Sequence, residues 1–256
     1  MKNLFIFIKL LVFTFFSGIL ITSCEFRESI VFNEDGDGKV TSSFYGDQLG
    51  DLLETLSEEG FKMENKEITM SEILEQNKES IDSLSDTQKH KLYALSDAKM
   101  KLENREGDLF VRVDKDFKTI SEINHVIKES RRAINYMLDY TADNGFTITD
   151  ENEEHVSFED QLDIIYSWSD NIFERKTIIK DDALFKKASD EMKDLTSMGV
   201  SGFDYVLEYT FPYEVIDAEP SDVSLSLDRK TVILRRSLSK IMSNPSNLDI
   251  KVTLKK

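Results

Sequence analysis

The chain has 256 residues, with 49 Asp+Glu against 32 Lys+Arg, and a formal net charge of −17 at pH 7. A single cysteine, Cys24, excludes an internal disulfide framework and a cysteine-ligated zinc site. The acidic balance argues against sequence-independent nucleic-acid binding, which needs clustered cations to displace counterions from phosphates, and 40% hydrophobic residues is too apolar for a disordered acidic chain.

Residues 1–23 differ in kind from the rest. They hold Phe5, Phe7, Phe13, Phe15 and Phe16, no acid, and only Lys2 and Lys9 as charges. A cationic start, an apolar run and small residues before a boundary describe an export signal. The uncharged run Leu10–Ile21 is 12 residues long, too short to cross a hydrocarbon core of ~30 Å as a helix. Charged residues follow at once: Glu25, Arg27 and Glu28.

The boundary Ile21-Thr22-Ser23-Cys24 resembles the lipobox of bacterial lipoprotein precursors: an aliphatic residue, a small or β-branched one, a small one, then Cys. The resemblance implies that the signal is cut before Cys24 and that this residue carries palmitate-type acyl chains. Two or three such chains hold a protein durably, at about 0.8 kcal/mol per buried CH₂. Cleavage would remove two lysines and no acid, leaving 30 cations against 49 acids, −19. A body this acidic is repelled by anionic headgroups, so residues 24–28 are expected to act as a short tether.

Residues 29–256 read as a single α+β domain, with a sub-domain boundary permitted near 141–155. Ser29–Phe32 and Val40–Tyr45 flank Asn33-Glu34-Asp35-Gly36-Asp37-Gly38, a hairpin signal. Asp47 precedes Leu49, Leu52, Leu53 and Leu56 at helical spacing, with Gly60 as the stop. Thr69 and Glu72 fit a capping box ahead of Ile73, Leu74 and Ile81, and Thr119 and Glu122 fit another. The latter opens a helix striped with Ile123, Val126, Ile127, Ile134, Met137 and Leu138. Between them Met100 and Leu102 alternate against Leu109, Val111 and Val113, a second hairpin.

A third hairpin spans Ile164–Trp168 and Phe173–Ile179 around Ser169-Asp170-Asn171. Asp181 or Asp182 can cap the following helix, with Leu184, Ala188, Met192 and Leu195 inward. The strongest strand pattern is Phe203–Val215, which puts Phe203, Tyr205, Leu207, Tyr209, Phe211, Tyr213 and Val215 on one face. Pro212 removes a ladder donor, so the strand lies at an edge or bends there. Strands at Val223–Leu227 and Thr231–Leu234, a short helix at Ser237–Ser243 and a last strand at Ile250–Leu254 complete the chain. The expected fold is a mainly antiparallel sheet built from hairpins, with about five helices packed on it.

No catalytic signature emerges. Asn33-x-Asp35-x-Asp37-Gly38 matches the start of a calcium loop, but position twelve is Phe44 where a bidentate acid is required. Ser237-x-x-Lys240 and Ser169-Asp170-Asn171 match fragments of the penicillin-binding set, in the wrong order and without Lys-Thr-Gly. His90, His125 and His155 lie too far apart for a local metal pair. No metal or cofactor is assigned. The residues best suited to line an apolar pocket are Tyr205, Tyr209, Phe211 and Tyr213, with Trp168 from another strand, although the same stripe also reads as sheet core.

The whole is similar to acidic, Cys-poor envelope lipoproteins of the Bacteroidota type, and Tyr209-Thr210-Phe211-Pro212 resembles the late strand of the LppM-type lipoprotein domain. The lipobox, the aromatic strand and the missing catalytic set together point to a non-enzymatic protein of the bacterial envelope, expected to be held by lipid on the periplasmic or surface face of the outer membrane and to bind a protein partner or an apolar ligand; the acidic charge argues against nucleic acid. The alternatives are an envelope hydrolase working through carboxylates and a purely structural assembly protein.

Overall fold

Two antiparallel strands, β1 (Cys24–Phe32) and β2 (Gly38–Gly46), meet across the turn at Asn33–Asp37. The computed structural model describes residues 24–47, 49, 51, 65–82, 86, 89, 93, 95–143, 161–197 and 203–255. Asn33 N–H donates to Asp37 O at 2.9 Å and the Asn33 side-chain amide to Asp37 Oδ1 at 2.8 Å. Gly36 takes φ +84°, and a Cβ on Gly38 would lie 2.0 Å from Val31 O. Both glycines are therefore required by backbone geometry, and the calcium-like carboxylates belong to a turn.

The remaining strands are β3 (Lys66–Thr69), β4 (Lys99–Arg105), β5 (Asp108–Phe117), β6 (Leu162–Ser169), β7 (Ile172–Ile179), β8 (Phe203–Thr210), β9 (Val215–Glu219), β10 (Ser224–Leu225), β11 (Thr231–Ser237) and β12 (Ile250–Leu254). Eight of the twelve form one sheet in the order β10-β11-β8-β1-β2-β5-β4-β3, and four form a second, β6-β7-β12-β9. The β1–β8 pair is parallel, which makes the large sheet mixed, and its other pairs are antiparallel, as expected. Strands from both sides of the 141–155 stretch share that sheet.

Four helical units pack on this frame among the described residues, against the expected five. The first, α1, runs Met70–Gln76 and continues as Lys78–Asp82 beyond Asn77, whose N–H still donates to Ile73 O. The others are α2 (Ile123–Asp143), α3 (Asp182–Ser197) and α4 (Leu238–Ser243). Thr69 and Glu72 form the expected capping box. Thr119 makes no side-chain cap, and Glu122 instead accepts from Lys118 N–H at 2.9 Å, because a 3-10 turn at Ile120–Glu122 precedes α2. Asp181 caps α3 through the amides of Ala183 and Leu184 at 2.9 and 3.0 Å. Phe185 and Ala188 face inward from it, while Leu184, expected inward, is 40% exposed. Most of the helix expected after Asp47, and the side chains of Met137, Leu138, Met192 and Leu195, lie outside the described residues. No described helix is long and apolar enough to cross a membrane.

Three further expectations change. Residues 24–28, expected as a tether, are the first five of β1, paired on both sides. The pattern at Phe203–Val215 is two strands, since β8 ends at Thr210 and the chain crosses at Phe211–Glu214 into β9 of the other sheet. Pro212, with no N–H to give, sits in that crossing. The face opposite the aromatic stripe was expected in water, yet Val206 is fully buried on it. It lies in a ladder of charges in which Arg27 pairs with Glu25 and Glu208, and Arg235 with Glu25 and Asp204.

The inner faces of the two sheets meet in an aromatic core. Phe32 stacks on Phe211 with centroids 5.3 Å apart and 8° between planes, and Phe173 and Trp168 meet Phe211 edge-on at 5.3 and 5.7 Å. A second apolar cluster lies where Met70, Ile73, Leu74 and Ile81 of α1 cover Met100, Leu102, Val111 and Val113. Phe211 is 1% exposed and Tyr213 is only partly buried. Phe211→Ala should therefore lower the unfolding free energy by about 3–5 kcal/mol, and Tyr213→Ala by clearly less, as read from urea titrations of the purified protein. Equal losses would contradict the placement of the core.

Candidate functional site

Charged residues stand out where a strand's inward phase should be apolar. In β1 the inward positions are Phe26, Glu28, Ile30 and Phe32, and in β7 they include Phe173 and Arg175. Glu28 has no exposed surface and Arg175 is 1% exposed. Each would be expensive alone, because a buried unpaired charge costs several kcal/mol.

Around Glu28 the donors converge from both sheets and one helix. Tyr166 of β6 and Tyr209 of β8 donate to Oε1 at 2.7 and 2.6 Å, and Tyr205 of β8 donates to Oε2 at 3.0 Å. Arg131 of α2 reaches Oε2 at 3.4 Å and also bonds the Tyr205 hydroxyl. Its guanidinium lies over the rings of Phe26 and Tyr205, 5.1 and 5.4 Å from their centroids, a favourable cation–π placement. The Nε of Arg175 is 4.0 Å from Glu28 Oε1, while its Nη1 donates to Leu248 O at 2.9 Å and Thr177 Oγ1 at 3.0 Å.

Burial pushes the Glu28 carboxyl up, but the charges of Arg175 and Arg131 and the hydroxyls of Tyr209 and Tyr166 outweigh it and hold it below its ordinary value of 4.5. Burial, then the Glu28 charge, pushes Tyr166 and Tyr209 well above the ordinary phenol range, so both remain donors. The result is an ionised acid saturated by its own fold. It is closed to solvent, so it lacks the access that a general acid or base needs.

A second polar group lies under α2. Lys115, on the inner face of β5, meets Glu129 Oε2 at 2.5 Å and Asp97 Oδ1 at 3.0 Å, and His125 Nε2 approaches Glu129 Oε1 at 2.9 Å. His125 is solvent-facing as expected, its side chain 71% exposed. Among the described residues no three His, Cys, Asp or Glu side chains are grouped to hold a metal. Ser237 precedes α4 at the end of β11 and Ser169 ends β6, so the two penicillin-binding-like fragments fall in different sheets.

The five residues expected to line a pocket share one environment. Tyr205, Tyr209 and Phe211 are buried, and Trp168 and Tyr213 are partly buried against the same core. Two cavities among the described residues lie on another part of the surface. One of about 470 Å³ over β7, β12 and β9 is bordered by Glu174, Lys176, Glu219 and Lys251, and one of about 390 Å³ by Asn171, Ile216 and Lys255. Cys24, the expected acylation residue, is half-buried at the start of β1, facing Gly46 on β2 and Phe203 on β8.

Sequence reasoning missed Glu28, Arg131 and Arg175. The signal was present as two opposite charges at the inward phase of two strands, an acid in β1 and a base in β7, each of which needs a partner of the other sign.

No family model matches the chain and no curated protein matches it. Among solved structures, it is similar to the NMR structure of the folded domain of LppM from Mycobacterium tuberculosis, with a TM-score of 0.41 and 9% sequence identity over 91% of this chain and 89% of that one. A likeness at this level brings no ligand or activity with it.

The Glu28 centre generates a test. Glu28→Gln keeps the shape but removes the buried negative charge that faces Arg175 and Arg131, and it should cost about 3–5 kcal/mol of stability. The folded-state pKa is depressed, so the stabilisation is complete above the ordinary value of 4.5 and is lost as pH falls below it toward the folded value. Unfolding free energies measured from pH 7 down to the acid transition should show this loss in the wild type and a shallower slope in the variant. Parallel slopes would remove Glu28 from the account.

Proposed function

We propose that the chain is the precursor of a lipid-anchored envelope protein, attached through acyl chains on Cys24, with a non-enzymatic role as a binding partner for another envelope protein. The observation that carries the anchor is the tetrad Ile21-Thr22-Ser23-Cys24, which puts the lone cysteine of the chain where β1 begins. Acylation is chemistry that a single cysteine can serve, whereas a disulfide needs a second one.

Two features support binding over catalysis. The carboxylate of Glu28 has no exposed surface and is enclosed by tyrosines and arginines of the fold. The aromatic stripe at Tyr205–Phe211 is packed against Phe32, Tyr166 and Phe173, which favours a protein partner at the surface over an apolar ligand within. The envelope setting, on the outer membrane at its periplasmic or surface face, belongs to the same reading.

In cells fed an alkyne-tagged fatty acid, the wild-type protein should be labelled and sediment with membranes. Cys24→Ala should lose the label entirely and release into the soluble fraction any protein still processed. Labelling and fractionation unchanged by the substitution would remove the anchor. For the partner, crosslinking of the anchored form followed by mass spectrometry should return a stoichiometric envelope protein; a co-purifying lipid in native mass spectra would favour the apolar-ligand alternative.

A further inference from the structure

The anchor reading, combined with the place of Cys24 in the sheet, fixes more than attachment. Cys24 pairs with Gly46 on one side and with Phe203 on the other, and Gly46 pairs onward with Leu109. The first residue to carry lipid is thus already in an interior strand of an eight-stranded sheet, with β2 and β5 on one flank and β8 and β11 on the other. No flexible length separates an acyl chain on Cys24 from the folded body. We infer that the Cys24 end of the large sheet is the membrane-facing surface of the protein, and that the anchored body holds one orientation instead of swinging on a tether. This inference rests on the proposal that Cys24 is acylated.

The residues that share that end follow from the register. The β4–β5 turn at Glu106–Gly107 lies there, because Arg105 pairs with Asp108 and Asn104 with Leu109 in line with Gly46 and Cys24. So does the end of β11, where Ser237 pairs with Asp204. The β1–β2 turn at Asn33–Asp37 lies at the other end, where Phe32, Gly38 and Phe117 share a row. Eight steps of about 3.3 Å along β1 set the two ends about 26 Å apart.

The chemistry of the proximal end selects the kind of bilayer. Around the Glu106 turn stand Asp47, Asp51 and Asp108, with Arg105 as the nearby cation, its guanidinium 3.9 Å from the Phe110 ring centroid. Asp51 packs against Gly107, its N–H donating to Gly107 O at 3.2 Å, so the acids are held at the turn. The acids at this turn add no electrostatic attraction to anionic headgroups, and at the β11 corner of the same end Arg235 and Arg236 are neutralised by Glu25, Asp204 and Asp222. The occupant of this surface is therefore a zwitterionic bilayer, approached because the acyl chains draw it in and leave no slack.

The lone native cysteine makes the test clean, since an acylated Cys24 leaves any introduced thiol as the only free one. Glu106→Cys and Asp35→Cys place a fluorophore at the exposed tips of the two turns. Each full-length, lipidated variant is incorporated into phosphatidylcholine vesicles that carry a headgroup-nitroxide lipid. The Glu106 label should be quenched severalfold more than the Asp35 label, and the contrast should persist when salt is raised. Equal quenching at both tips, or stronger quenching at position 35, overturns the orientation while leaving the anchor intact. If Cys24 in the same preparations accepts no acyl chain, as read by mass spectrometry of the N-terminal peptide, the anchor fails and the orientation fails with it. Circular dichroism of each variant guards against a misfolded comparison.

Discussion

Glu28 sits on the inner face of β1 with no exposed surface, and a charge in that position is tolerable only when its partners are already in place. Those partners come from β6, β7, β8 and α2. The three layers of the fold therefore share one electrostatic condition: the second sheet must dock so that Tyr166 and Arg175 arrive, and α2 must cross so that Arg131 arrives. Replacing such a cluster with well-packed apolar residues would not by itself cost stability. Its effect is on uniqueness. A one-residue slip of β1 would bring Arg27 inward and send Glu28 out, placing a cation among two arginines.

The same strand carries a complementary arrangement on its other side. Arg27 and Glu25 face outward and join Glu208, Arg235 and Asp204 across β8 and β11. Exposed pairs of this kind contribute little each, yet here they bracket the fully buried Val206 and leave no apolar run for another chain to cover. With the Glu28 carboxylate hydrogen-bonded inside and ladders of opposite charge outside, β1 is constrained from both faces and from both edges. This is why a lipid on Cys24 would be joined to a stiff element, in contrast to the mobile leader that the charged sequence Cys24-Glu25-Phe26-Arg27-Glu28 suggests when read alone.

What could be read from sequence was what depends on neighbours along the chain. The turn at Asp35–Gly38, the hairpin across Asn104–Asp108, the capping box at Thr69 and the inward stripe Ile123, Val126, Ile127 and Ile134 all follow from local conformational preference and periodicity. What could not be read depends on distant partners. Period-2 alternation runs unbroken through Phe211–Val215, so nothing local announces that the chain leaves one sheet for the other at Pro212. Glu28 interrupts the apolar phase of β1, and that interruption hid the first half of the strand. Paired with Arg175, at the same phase of β7, it becomes the most specific long-range signal in the chain, though one visible only after the two strands are known to face each other. Tyr205 and Tyr209, which period-2 alternation puts on one face of the strand, are both buried there. Their hydroxyls act as donors to a buried acid, a role that an apolar pocket would not have given them.

The arrangement also constrains where recognition can occur. The tyrosines and arginines that would suit a polar ligand are engaged with Glu28, and the aromatic rings that would suit an apolar one are packed on each other. The chain as a whole is acidic, 49 carboxylates against 32 cations. A field of one sign raises the encounter rate of partners of the opposite sign and suppresses the rest. If an acyl chain on Cys24 holds the body by its interior strand, the approach path is defined as well: a basic partner would meet the acidic faces and the far turns first, because the near end would lie against the bilayer.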